Sequence, residues 1–367
     1  MQSKSKNDNI TPHNVKQRQR HLSELLESVK TDSLLLTDLQ NVRYFCGFTG
    51  SSAYLLVTKT SNFFFTDGRY EVQAQQEVIA AHIIVTKKML ESVKEIVTQL
   101  GINKISFEAK NLSYYQWTQL KEKIGKVELL PLQDEVRQLR ILKDQKELES
   151  IRKGANIAKD AFFSTLKLVR PGIREVDVAL ALEVEMRKKG AEKVSFDIIV
   201  ASGKRSALPH AVPTEKIIDD GDLVVIDFGV VVRGYHTDET CTIKVGRALS
   251  EAQEIYSTVN DAQRLAIEMI RPGVKARDID AAARDHICNK GYGQYFSHGT
   301  GHGVGLDVHE LPVINEMGEA VLEEGMVFTV EPGIYMPEIG GVRIEDMVLV
   351  TESGYEILTK CNDELRG

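Results

Sequence analysis

The feature that most constrains this chain is a pattern that occurs twice. VRPGIREVD, Val169 to Asp177, recurs as IRPGVKARD, Ile270 to Asp278, each behind one helical pattern and ahead of another. The helices that follow end in KKG, Lys188 to Gly190, and NKG, Asn289 to Gly291, at the same offset as the two RPG turns. Chance is a poor explanation for two matched landmarks, so the second part of the chain contains a diverged internal repeat.

Carried further along, the repeat delivers acids in matching places. DDGDLVVIDFG, Asp219 to Gly229, aligns with LEEGMVFTVEPG, Leu322 to Gly333, and sets Asp227 against Glu331. After each comes a turn and a second strand, GYHTDET from Gly234 and GVRIEDM from Gly341, which sets Asp238 against Glu345. A hairpin turning near Val232 and Arg233 makes Asp227 and Asp238 cross-strand neighbours, with Cβ atoms about 5 Å apart. Two carboxylates that close repel by roughly 3 kcal/mol at an effective dielectric of 20. Both sit in apolar strands that read as core, so something positive is expected between them.

A nitrogen donor lies just ahead of the second hairpin. SHGTGHGVGLDVHE, Ser297 to Glu310, holds three of the nine histidines among clustered glycines. His298 and His302 have the spacing of a zinc-protease helix, but Gly299 stands where that motif needs its glutamate. Each of Gly301, Gly303 and Gly305 would cost a helix interior about 1 kcal/mol. The segment therefore reads as extended or looped chain whose backbone closely approaches something else. Four carboxylates and an imidazole make an oxygen-rich set, enough for two divalent ions, with manganese favoured and cobalt or zinc also suited.

Composition bounds the rest. The 367 residues suffice for two domains, and the net charge of -7 argues against a general nucleic-acid binder. The four cysteines, Cys46, Cys241, Cys288 and Cys361, are widely spaced. They outline neither a disulfide framework nor a zinc site, which fits a reducing compartment. The polar N-terminus lacks the apolar core of a signal peptide, and no apolar run approaches the ~18 residues of a membrane span. A cytoplasmic location is expected. Residues 1–12 are expected to be disordered. SLLLTD, AYLLVT and NFFFTDGRY read as buried strands alternating with helices such as MLESVKEIVTQL and YYQWTQLKEKI, an α/β domain over 13–135. The repeat-containing domain follows over 136–367.

VIDFG, GYHTDET, HGTGHGVGLDVHE, TVEPGIY and GVRIEDM, in that order, resemble the creatinase/aminopeptidase family of "pita-bread" metallopeptidases, in its Xaa-Pro aminopeptidase and prolidase branch. NVRYFCGFTGSSAYLLV and FFFTDGRY resemble the creatinase-like N-terminal domain of that branch, so the likeness covers nearly the whole chain. It implies a mixed α/β (α+β) fold, with a creatinase-like N-terminal α/β domain followed by a pita-bread catalytic domain of two pseudo-symmetric halves. It implies Asp227 as terminal ligand of one metal, His302 and Glu331 on the other, and Asp238 and Glu345 as bridges. Glu331, His309 and His210 become catalytic candidates: Glu331 to carry the proton, and His309 to stabilise the oxyanion. His298, His210, His309 and Arg343 line the substrate site by the same likeness, whereas His236 has no family motif behind it and is expected to be structural.

The activity implied is release of an N-terminal residue from peptides with proline in second position, by a homodimer with no nucleic-acid or membrane partner. Prolidase action on Xaa-Pro dipeptides is the alternative, and a metal-free binding protein on the same fold the remote one.

Overall fold

The computed structural model describes residues 12–247, 250–359 and 361–362. Described residues through Arg140 form one compact unit, and those from Ile141 a second. The disorder expected at the N-terminus lies outside the described residues, except that Pro12 opens the helix Pro12–Ser28. Proline suits a first helical position, where its missing N–H has no partner to lose.

In the first unit a six-stranded mixed sheet runs in the order His82–Val85, Asn62–Thr66, Ala53–Thr58, Ser33–Leu36, Lys104–Glu108, Glu128–Leu132. Its central strands are largely apolar and buried. Leu35, Leu56, Phe65 and Ile105 pack on Val93 and Val97 of the helix Met89–Gln99 and on Leu120 of the helix Tyr114–Ile124. The short helix Glu135–Gln138 ends this unit.

The second unit is built twice, as the repeat demands. In the first half, helices Gln145–Thr165 and Glu175–Lys188 cover the strands, with Phe162 stacked on Phe228 at 5.1 Å between ring centres. In the second, helices Ser250–Glu268 and Ala276–Asn289 bury Ile255, Ala262, Ile279 and Ala283 against Phe328, Val330 and Val348. Among the described residues no helix is long and apolar enough to cross a membrane.

The two hairpins that carry the acids share an irregularity. Leu223–Phe228 pairs antiparallel with Glu239–Lys244, Asp227 lying opposite Thr240, and the ribbon resumes as Val230–Val232 against Tyr235–His236. It turns at Arg233 and Gly234, whose φ values of 51° and 78° suit the tight turns of two-residue hairpins. Val327–Val330 likewise pairs with Asp346–Val350, and the ribbon resumes as Gly333–Met336 against Gly340–Arg343. Each ladder is interrupted where an acid sits, at Asp238 in one and at Glu331 and Glu345 in the other. Pro332 cannot donate to a ladder, and a Cβ on Gly229 would fall 1.8 Å from the Thr237 carbonyl oxygen. Among the described residues a single isolated bridge, Thr240 to Glu345, joins the two hairpins.

This corrects the expected pairing. The turn falls one residue later than the sequence suggested, so Asp238 is not directly opposite Asp227 but lies diagonally, in the break between strands. Diagonal neighbours are farther apart than directly opposite ones, by about 2–3 Å.

Candidate metal centre

A cavity of ≈ 560 Å³ lies in the second unit, lined by Asp227, Asp238, Glu331 and Glu345 together with His302 and His309. His210, His298 and Arg343 line it too. The fold thus brings every residue singled out for the site to the lining of one cavity, and His236, expected to be structural, is not among them. That ring is buried and its backbone N–H donates to the Gly305 carbonyl at 2.8 Å. It shares sequence alternation with Asp238, but the break in the ladder separates their directions.

Ligand atoms of Asp238, His302 and Glu345 lie within 4.8 Å of one another. His302 Nε2 is 3.3 Å from Glu331 Oε1 and 3.6 Å from Asp238 Oδ2. The other ring nitrogen, Nδ1, is 3.1 Å from the Gly303 carbonyl oxygen and donates to it. That bond puts the lone pair on Nε2, aimed at carboxylate oxygens that also offer lone pairs. Gly301 permits this approach, because a Cβ there would stand 1.9 Å from the Thr329 carbonyl oxygen.

Around the acids is a second layer of donors. Arg343 Nη2 donates to Asp227 Oδ2 at 2.7 Å. Its Nε donates to Thr240 Oγ1 at 3.1 Å, and Thr240 Oγ1 donates to Glu345 Oε2 at 2.6 Å. Thr329 Oγ1 donates to Glu331 Oε1 at 3.1 Å. Asp227 Oδ1 is fully buried and, among the described residues, has no hydrogen-bond donor.

The electrostatics repeat the message. Burial, reinforced by Glu345, Asp227 and Glu331, pushes the Asp238 carboxyl well above the usual carboxylate range, and burial with Glu331 and Asp227 does the same to Glu345. Burial also raises Glu331 and lowers His302, His298 and His309. Each group resists its charged form in a site of converging carboxylates, which is what a protein arranges around a bound cation. The donor set fits divalent metal: hard oxygens, one correctly turned imidazole, and an orphaned carboxylate oxygen.

Two residues at this site escaped the sequence reading. The Tyr335 hydroxyl stands 2.9 Å from His298 Nε2 and accepts from Arg343 Nη1 at 3.0 Å, so its own proton points to the histidine. Thr240 joins Arg343 to Glu345. A signal was present: Tyr335 is four residues after Glu331 and Thr240 two after Asp238, in the alternation of strands.

Comparison with known proteins identifies the family. Residues 149–352 match the model of metallopeptidase family M24, and residues 18–142 that of the creatinase/prolidase N-terminal domain. The chain is 40% identical over 353 residues to a Xaa-Pro dipeptidase of Pyrococcus horikoshii, covering 96% of this chain and 99% of that one. A solved structure of a Xaa-Pro dipeptidase from Bacillus anthracis superposes with a TM-score of 0.92 at 43% identity, over 95% of this chain and 98% of that one. That of an X-Pro aminopeptidase from Thermotoga maritima does so at 0.85 and 38%, over 93% and 97%.

Proposed function

Since the chain belongs to metallopeptidase family M24, with a creatinase/prolidase N-terminal domain ahead of the catalytic one, we propose that it hydrolyses the bond between an N-terminal residue and a following proline, with Xaa-Pro dipeptides as principal substrates. The observation that carries this is the donor set: four carboxylates and His302 lining one cavity, with Asp227 Oδ1 buried and without a donor among the described residues. The choice of dipeptides is supported by relatives named Xaa-Pro dipeptidase that align along almost the entire chain.

Asp227 would hold one of two divalent ions, His302 and Glu331 the other, and Asp238 and Glu345 both; manganese is our first choice, then cobalt or zinc. Such a pair supplies acidity that makes water nucleophilic near neutral pH, and polarises a carbonyl. Glu331 takes the proton of the attacking water and passes it to the departing proline nitrogen. His309 donates to the oxyanion as it develops. His298, held by Tyr335, and His210 hold the substrate against the apolar wall of Ile199, Val212 and Val313, where a proline ring without an amide N–H can rest. Arg343 keeps Asp227 turned toward the metal.

A second reading, the Xaa-Pro aminopeptidase that the sequence suggested first, draws on the same wall. Among the described residues lining the cavity Arg343 is the only arginine or lysine, and Asp227 already engages it. A dipeptide's carboxylate needs a positive partner nearby, whereas a longer peptide carries that charge away from the site. Rates on Xaa-Pro and Xaa-Pro-Xaa, measured with manganese and again after chelation, decide between them. Chelator-sensitive cleavage of the dipeptide alone supports the first reading, and of the tripeptide alone the second; failure to cleave either removes both. We further assign a cytoplasmic homodimer, to be tested by light scattering and cell fractionation.

A further inference from the structure

The three cavity histidines outside the metal set, His210, His298 and His309, all stand on irregular segments, and two of them, His210 and His309, are exposed. An exposed side chain on a loop is held only as well as the loop's roots. Each of these loops is rooted in a buried carboxylate paired with a cation.

For His210 the carboxylate is Glu175, at the start of the helix Glu175–Lys188 and with no exposed side-chain surface. Oε1 accepts from Ser202 N at 2.8 Å and Ser202 Oγ at 2.9 Å, and Oε2 from Thr214 N at 3.0 Å and Thr214 Oγ1 at 2.8 Å. Ser202 and Thr214 bracket the loop that carries His210. Arg205 donates from Nε to the same carboxylate at 3.1 Å, and from Nη2 to the Val212 carbonyl at 2.7 Å.

For His298 it is Asp280, on the helix Ala276–Asn289. It accepts from Thr300 N at 3.0 Å, Thr300 Oγ1 at 2.8 Å and Arg284 Nε at 2.7 Å, while Arg284 Nη2 donates to the His298 carbonyl at 2.8 Å. For His309 it is the next residue, Glu310, which accepts from Asp307 N at 3.0 Å and from Lys143 Nζ at 3.0 Å. A Cβ on Gly305 would meet Glu310 Oε2 at 2.5 Å, so the loop wraps directly onto the carboxylate.

Burying a charge pair returns little net stability, because desolvation offsets the attraction. What such a pair does supply is one geometry, since any other arrangement strands a charge. We infer that Glu175, Asp280 and Glu310 are positioning residues, each buried carboxylate fixing the loop of one cavity histidine through the cation paired with it. The inference rests on the reading of those histidines as substrate-handling groups. Glu175 and Asp280 come from the corresponding helices of the two halves but not from equivalent positions, because the repeat sets Ala276 against Glu175. The two halves have thus reached one solution by different residues.

The test uses full-length, metal-loaded protein and the variants Glu175→Gln, Asp280→Asn and Glu310→Gln, each of which turns an amide N–H toward existing donors. Hydrogen exchange in the three loops, metal content and steady-state rates on a Xaa-Pro dipeptide and a Xaa-Pro-Xaa tripeptide are measured together. Expected are unchanged metal content and a roughly tenfold or greater rise in exchange confined to the variant's own loop. Whichever peptide the wild type cleaves should show a tenfold or greater change, in KM for the first two variants and in kcat for Glu310→Gln. Folded variants whose loop exchange and kcat/KM stay within about twofold of wild type, or whose exchange rises equally everywhere, would overturn the inference. If Glu175→Gln or Asp280→Asn does not fold, Thr214→Val or Thr300→Val removes one donor and leaves the charge, with the same pattern expected at smaller amplitude. A wild type inactive on both peptides defeats the functional reading, while the exchange pattern still decides the positioning.

Discussion

Arg343 and Asp227 share one carboxylate unequally: Nη2 of the arginine donates to Oδ2 at 2.7 Å, and Oδ1 is buried without a donor. The arginine neutralises and aims the aspartate while leaving one oxygen for another partner. Arg343→Met should therefore weaken metal binding and lower kcat/KM by about 10- to 100-fold, the usual cost of losing a group that orients a ligand. Lysine at that position should recover part of the affinity and little of the rate, because a point charge cannot also serve Thr240 and Tyr335. Calorimetric titration with manganese, alongside rates, checks both halves; an unchanged affinity in Arg343→Met would remove Asp227 from the metal set.

If the proposed roles hold, Asp238→Asn and Glu331→Gln should each reduce turnover by at least about 10³-fold, the first through metal binding and the second through metal binding and proton transfer. Metal content is measured alongside the rates. Asp238→Asn should lose bound metal as judged by mass spectrometry. A wild-type rate in Asp238→Asn would end the dinuclear interpretation.

Chelation should lower the melting temperature. A metal present at 100 times its Kd adds about 2.7 kcal/mol to the folded state, which corresponds to several degrees for a domain of this size. Glu345→Gln should do the opposite to the metal-free protein, raising its melting temperature by relieving repulsion among Asp227, Asp238, Glu331 and Glu345, while shrinking the gain from added metal. Differential scanning calorimetry with and without chelator reads both; a metal-free Glu345→Gln no more stable than wild type would count against repulsion as the dominant cost.

The first unit carries its own titration. Burial pushes the Glu108 carboxyl up to about 7, although Thr37 N and Asp38 N donate to it at 2.7 and 2.8 Å. A folded-state value above the unfolded one means that the fold favours the protonated form. The stabilisation is complete below the unfolded value of 4.5 and is lost as pH rises through about 7, at no more than ~1.4 kcal/mol per pH unit. Urea midpoints should fall between pH 5 and 7.5 in the wild type and fall less in Glu108→Gln. Equal slopes in the two proteins would assign the pH dependence elsewhere.

Much of this molecule was legible in one dimension because its information is local. Strand alternation and helical periodicity located the elements, glycine clusters marked the close approaches at Gly301 and Gly303, and the repeat paired Asp227 with Glu331 and Asp238 with Glu345. Register was the first thing to escape: a turn one residue later than expected moved Asp238 from opposite Asp227 into the break of the ladder. Moving a turn by one residue shifts the pairing by two, which keeps each side chain on its face but gives it a different partner across the ladder.

By itself, then, the sequence determined two related halves, an α/β domain before them, and a set of acids and histidines suited to divalent metal. Only the tertiary structure decided which oxygen of Asp227 is free, that Tyr335 holds His298, and that Lys143 reaches Glu310 from far along the chain. The difference is physical: periodicity and turn chemistry act over a few residues, whereas burial and charge pairing depend on which distant groups the packed core brings together.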